Sequence, residues 1–178
     1  MKGQIMLITL IMSVFFLGCA SADMQNNTTA ENITPSKISM TAVEPLGVEV
    51  YIAVNPTTLN LGTVYPDGVE REYYSATNVE IKNNAGRLRV YVRASGDLRD
   101  IENSSNTIPL SNLKYSIKYD GPYGHIDVQI RNFTTSDFQI WTHVGSVDGI
   151  ILPVNYYLTV PPYTDPGTYS TEVIYTAV

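Results

Sequence analysis

The sequence predicts an all-β protein whose main domain is an antiparallel β-sandwich. From Gly47 onward, apolar residues recur at every second position over short segments, which is the spacing of a strand with one buried face. Gly, Pro, Asn and Asp cluster between these segments at regular intervals, as they do in turns. The 13 Tyr residues, with Val, Ile and Thr, favour strands, and helix-forming residues are scarce after residue 45.

The amino terminus, residues 1–22, predicts a signal peptide. Lys2 supplies a positive charge, and residues 5–17 form an apolar core. This core is short and close to the start of the chain, which makes it a poor transmembrane helix. The chain is therefore expected to be secreted, and its location to be extracellular, at the cell surface.

The sequence allows two cleavage sites for this leader. Ala20-Ser21-Ala22 fits the small residues that precede ordinary cleavage, here before Asp23. Leu17-Gly18-Cys19 instead resembles a bacterial lipobox, in which Cys19 would become the lipid-bearing first residue of a lipoprotein. An uncleaved anchor is the third alternative. In the first two cases the mature chain has no free thiol, since Cys19 is its only cysteine.

Residues 23–45 are rich in Asn, Thr, Ser and Glu and predict a disordered stalk. The stalk carries overlapping or adjacent N-x-[ST] motifs, which accept N-linked glycans in hosts that glycosylate secreted asparagines. Two further motifs fall in predicted loops of the following domain. The glycosylation candidates are Asn26, Asn27, Asn32, Asn103 and Asn132.

The domain at residues 46–178 should contain about seven or eight strands. In the first segment, GVEVYIAV at 47–54, Val48, Val50, Ile52 and Val54 share one face. The later segments with inward-facing apolar residues are Leu59–Leu61, Val79–Ile81, Leu88–Ala94, NLKYSIKY, HIDVQIR, GIILPVNYYLTV and GTYSTEVIYTAV. Short strands of this kind, separated by regular turns, are typical of an immunoglobulin-like β-sandwich.

The turn at residues 83–86 permits a finer prediction. If it closes a hairpin with a four-residue loop, Glu80 faces Arg89 on the solvent side. Val79 then faces Val90 on the core side, and a slip of one residue would expose the apolar set.

Several segments resemble immunoglobulin-like modules of bacterial and archaeal surface proteins. VNPTTLNLGTVYPDG and VEIKNNAGRLRVYVRASGDL are similar to the opening strands of such modules, and VPPYTDPGTYSTEVIYTAV is similar to their final strand. The resemblance covers Val54 to Val178. It implies an envelope, adhesive or fibre-forming protein in which the motif residues are structural and none is catalytic.

One row of side chains is the candidate contact surface for a ligand. Arg87, Arg89, Tyr91 and Arg93 alternate along one strand and should face outward together. Such a row could bind an acidic glycan or partner, with Tyr91 stacking on a sugar ring. An ordinary exposed strand face, balanced by nearby acids, is the alternative.

Metal and catalytic signals are weak. Asp97, Asp100 and Glu102 lie close together in a loop and are weak candidates for calcium, although their spacing is not that of an EF-hand. His125 and His143 have no ligand neighbours at zinc spacing. No nucleophile motif or phosphate-binding loop is present in the sequence, so we expect no cofactor and no enzymatic activity.

The expected function is therefore a structural or adhesive role at the cell envelope. A fibre subunit that polymerises by strand donation and a carbohydrate-binding module are the alternatives. Expected partners are envelope proteins, glycans or further copies of the chain, and membrane contact is expected only through a lipid or signal anchor. The formal net charge of −6 argues against nucleic acid as a partner.

Overall fold

The computed structural model describes residues 7–14, 50–84 and 86–178, and it confirms the predicted β-sandwich. The described strands outnumber the seven or eight predicted, in part because β6 and β7 are very short and β1 lies in the leader. The strands are β1 (Leu7–Val14), β2 (Val50–Asn55), β3 (Thr58–Thr63), β4 (Glu70–Asn83), β5 (Arg87–Ala94), β6 (Leu98–Asp100), β7 (Thr107–Ile108), β8 (Leu113–Gly121), β9 (Gly124–Asn132), β10 (Phe138–Val144), β11 (Val147–Thr159) and β12 (Thr168–Ala177). A 3-10 turn at Leu110–Asn112 precedes β8.

The strands form two sheets that pack face to face. Sheet I has the order β2-β4-β11-β8-β9, with every neighbouring pair antiparallel. Sheet II has the order β10-β5-β12-β1-β3, and the short strands β6 and β7 extend it beside β12. Its neighbours are antiparallel except for β1 and β12, which run parallel.

The core lies between the sheets, and alternation predicts many but not all of its side chains. The sequence analysis missed β10, whose Ile140 and Trp141 are buried in this core. Most of the predicted inward residues are buried: Ile52, Val54, Leu61, Val79, Ile81, Leu88, Val90, Val92, Ala94, Leu113, Tyr115, Ile117, Ile126, Leu152, Val154, Tyr156, Leu158 and Val160. The prediction is wrong for Ile130, which is 53% exposed. A register shift between Tyr115 and Ile117 in the β8–β9 ladder interrupts the alternation there, so Ile130 no longer faces the core.

The predicted hairpin at residues 83–86 is also wrong. β4 belongs to sheet I and β5 to sheet II, so the turn is an arch that crosses from one sheet to the other. Glu80 pairs in register with Ala53 and Ile151, and its carboxylate lies 2.8 Å from the Lys82 ammonium. Arg89 instead pairs with Thr142. An arch buries the same alternating residues as a hairpin, which is why the pattern did not distinguish them.

β1 comes from the apolar part of the predicted leader. Its backbone lies between β3 and β12, and it pairs with both of them. The predicted stalk at 23–45, with Asn26, Asn27 and Asn32, lies outside the described residues, as does Cys19. Among the described residues, no helix has the length and apolar character needed to cross a bilayer.

Candidate functional site

The candidate contact row lies on β5, on the outer face of sheet II. Along this strand Leu88, Val90, Val92 and Ala94 are buried, and the intervening residues point away from the core. Arg87 and Arg89 are exposed, whereas Tyr91 and Arg93 are half-buried. The structure therefore brings the four predicted residues together in one outward line, which follows directly from the two-residue period of a strand.

The neighbours of this row set its charge. Val144, which is 69% exposed, lies beside Arg87, and Gln139 and Thr176 flank Tyr91. The Arg93 guanidinium lies 3.3 Å from the Asp137 carboxylate. Among the described residues, that ion pair is the only one that involves the row, so Arg87 and Arg89 form no ion pair in this part of the chain.

The acidic loop uses its carboxylates to organise its own backbone. Asp97 Oδ1 accepts a hydrogen bond from the Leu110 N–H at 2.8 Å. Asp100 is almost fully buried, and its Oδ1 accepts from the N–H groups of Glu102 and Thr168, each at 3.2 Å. Glu102 is exposed. Within residues 7–14, 50–84 and 86–178, no group of three or more His, Cys, Asp or Glu residues is arranged to hold a metal ion.

The two predicted glycosylation candidates of the sandwich are both exposed. Asn103 lies in the turn between β6 and β7, where its Oδ1 accepts a hydrogen bond from the Ser105 N–H at 3.2 Å. Asn132 is the last residue of β9, at the end of a strand and not in the loop that the sequence predicts. The Phe133 side chain that follows it is buried, which fixes the direction of the Asn132 side chain toward solvent.

A second feature of interest is the position between β3 and β12, which we call the slot. Among residues 50–84 and 86–178, no strand pairs with the slot side of β12 or β3, and only the backbone of β1 lies there. On the β12 wall, Tyr169, Thr171, Val173 and Tyr175 face the core. On the β3 wall the core-side residues are Leu59 and Leu61.

The sequence did not predict the slot. Alternation identifies a strand and its buried face, but it does not identify the strand that pairs beside it. The position of an unpaired strand edge therefore cannot be predicted from alternation. The sequence allows residues 47–54 to pair with their own sandwich or with a neighbouring copy, and the short connection at Asn55-Pro56 predicts pairing within the same copy. In the structure Val50–Asn55 pairs with β4 of the same chain, so these residues fill an edge of sheet I.

Comparison with models of known families gives no match to this chain, and comparison with curated proteins gives no significant match.

Proposed function

We propose that this chain is a non-enzymatic, secreted or surface-anchored β-sandwich with an adhesive or structural role at the cell envelope. It would be an immunoglobulin-like module of the kind found in bacterial and archaeal surface proteins, and residues 1–22 would direct its export. The sequence features that support export are the apolar leader and the polar, sequon-rich stretch that follows it.

The observation that carries an adhesive role is the row on β5. Arg87 and Arg89 point into solvent without an acidic partner among the described residues, in a chain whose net charge is −6. A local positive line on an acidic protein attracts an acidic surface while the rest of the molecule repels it. Guanidinium groups bind carboxylates and sulfates through paired hydrogen bonds, and Tyr91, the next outward residue after Arg89, offers a ring for stacking. The partner class that fits best is an acidic envelope glycan.

The binding experiment uses immobilised dextran sulfate as the probe. The double variant Arg87→Glu, Arg89→Glu should elute at lower salt than the wild type, because it reverses the charge of the row. Lys118→Glu is the control, since Lys118 is an exposed residue of β8 in sheet I. Equal elution of the double variant and wild type would exclude the row as the contact surface.

Export is tested separately by mass spectrometry of the protein from its native source. A first residue at Cys19 with attached lipid, or at Asp23, is the expected result. The same spectra show whether Asn103 and Asn132 carry glycans. A first residue at Met1 would contradict the secreted form.

A second candidate function is a fibre subunit that assembles by strand donation. The slot favours it, because sheet II needs a strand between β3 and β12, and residues 7–14 would be lost with a cleaved leader. An unpaired strand position in a sheet is a site where another chain can add a strand.

A further inference from the structure

Loss of the leader would leave sheet II with two unpaired strand edges. β1 pairs with β12 over eight residues and with β3 over five residues. Removal of β1 therefore exposes backbone groups on both walls of the slot. It would also uncover the core-facing residues of β12, which include Tyr169 and Val173. Open edges beside an apolar core are unstable in water and recruit a further strand.

We propose that residues 36–43 of a second copy of this chain occupy the slot, antiparallel to β12. This inference rests on the proposed function, since it requires that the leader be removed. Each copy would then accept an arm from one neighbour and offer its own arm to another, which produces a head-to-tail assembly.

The sequence of the arm suits the slot. Residues 36–43 are eight residues long, the same length as the ladder between β1 and β12. Pro35 and Pro45 lie on either side of them, outside the ladder, where a missing backbone N–H breaks no strand hydrogen bond. Ile38, Met40 and Ala42 alternate with polar residues, so one face of the arm is apolar.

A register with Val43 beside Thr168 matches the side chains of the two strands. Ala42, the smallest apolar residue of the arm, would lie beside the bulky Tyr169. Met40 would lie beside the smaller Thr171, and Ile38 beside Val173. The apolar face of the arm thus meets the core-facing residues of β12, and Ser39 and Thr41 face solvent.

The direction of the arm follows from the two walls. β3 and β12 run in opposite directions, because β1 is antiparallel to one and parallel to the other. Any strand in the slot is therefore parallel to one wall. Antiparallel ladders are slightly more stable per residue, so an occupant that is antiparallel to the longer wall, β12, gains more. This is the reverse of the direction of β1.

In this direction the arm cannot come from the same copy. Val50 pairs with Asn83, which lies at the end of β4. β5 begins just beyond the arch that follows Asn83. At this end of β5, the backbone of Arg89 bonds to Val178, which follows the last residue of β12. Val50 thus lies near the carboxyl end of β12, about 30 Å from Thr168 along the strand and in the opposite sheet. Residues 43–50 span at most about 25 Å. In the direction of β1, by contrast, the same residues could reach their own slot.

The first test measures the size and the first residue of the secreted protein. The full gene is expressed with its leader, and the product is characterised by intact mass and by light scattering after size exclusion. We expect a chain that has lost residues 7–14 and forms a ladder of oligomers. Loss of the leader with a monomer would overturn this inference but leave the secreted form standing. Retention of residues 7–14 would overturn both.

Two matched variants test the arm. Met40→Asp places a charge on its apolar face and should abolish the ladder, whereas Thr41→Asp lies on the solvent face and should preserve it. If both variants assemble like the wild type, the arm is not the donor. Loss of assembly in both would contradict the proposed facing of the strand.

A cysteine cross-link tests which copy donates and in which direction. In the proposed register Thr41 lies directly opposite Ser170, at a separation that a disulfide can span. Co-secretion of a Thr41→Cys chain with a Ser170→Cys chain should give a disulfide-linked dimer that neither variant forms alone. A Thr41→Cys, Glu172→Cys double variant that forms a bond within one chain would show insertion parallel to β12 in the same copy, which would overturn the proposal.

Discussion

Val90 lies in the middle of β5 with no exposed surface, between two outward-facing residues. Val90→Asp would bury a carboxylate among aliphatic side chains with no partner, and we expect the free energy of unfolding to fall by about 3 kcal/mol or more. Arg89→Asp is the control, because Arg89 faces solvent, and it should cost less than about 1 kcal/mol. Urea denaturation followed by Trp141 fluorescence measures both. Equal midpoints for the two variants would contradict the assigned faces of β5.

Two buried tyrosines make the stability sensitive to alkaline pH. The hydroxyl groups of Tyr156 and Tyr175 lie 3.1 Å apart in the core. Burial raises the pKa of Tyr156 to about 12, and it raises the pKa of Tyr175 well above its ordinary value of 10.0. Both groups therefore stay protonated in the folded state at a pH where the unfolded chain has begun to lose their protons.

The unfolded state then binds fewer protons than the folded state, so stability falls as the pH rises above about 10. Their contribution is fully present below that pH and is lost progressively toward pH 12. Urea midpoints measured between pH 8 and pH 11 should show this decline, and the double variant Tyr156→Phe, Tyr175→Phe should show a weaker one. If the urea midpoints of the wild type and the double variant fall equally steeply with pH, the decline is due to groups other than Tyr156 and Tyr175.

At the scale of elements, the buried side chain of Asn83 helps to connect the arch between β4 and β5 to the turn that follows β10. Asn83 Nδ2 donates a hydrogen bond to the Gly145 carbonyl at 2.9 Å, and the Gly145 N–H donates to the Gly86 carbonyl at 2.8 Å. These bonds tie the arch to the β10–β11 turn. Asn83 Oδ1 is buried, and no group in the described part of the chain donates a hydrogen bond to it, so the side chain is not fully satisfied.

Asn83→Ala removes the bond to Gly145 and leaves a carbonyl without its donor. Because the change also removes the unpaired Oδ1, we expect a moderate loss of about 1 kcal/mol in the free energy of unfolding. Lys82→Ala is the control, since its exposed ion pair with Glu80 should contribute about half of that or less. Chemical denaturation of both variants measures the two losses in the free energy of unfolding. If the Lys82 variant is the less stable of the two, Asn83 does not hold the arch.

Sequence patterns predicted the elements better than their connections. The buried faces of β4 and β5 follow from the alternation of residues such as Ile81 and Leu88, because burial depends on local period. Which sheet each strand joins depends on long-range pairing, which the period does not encode. Ile130 was misplaced for a related reason, since the register shift that turns it outward requires both partners of the ladder.

The same reasoning applies to the candidate site. The outward row on β5 was predictable because four alternating residues of one strand determine it. The slot was not predictable, because it is defined by two strands that are far apart in sequence and by the leader segment between them. Only the topology of the whole sheet brings β3 and β12 to the two sides of one position.

At the scale of the whole molecule, assembly through the slot links stability to concentration. A fold completed by a strand from a second copy is stabilised by mass action, because the donor binds the folded acceptor and not the unfolded chain. A tenfold increase in protein concentration should therefore raise the melting temperature of the mature protein by a few degrees. Differential scanning calorimetry over a hundredfold range of concentration measures this shift. The Met40→Asp variant should melt at a lower temperature that does not change with concentration, because its arm no longer fits the slot. A wild type whose melting temperature is constant over that range would mean that each copy completes its own sandwich.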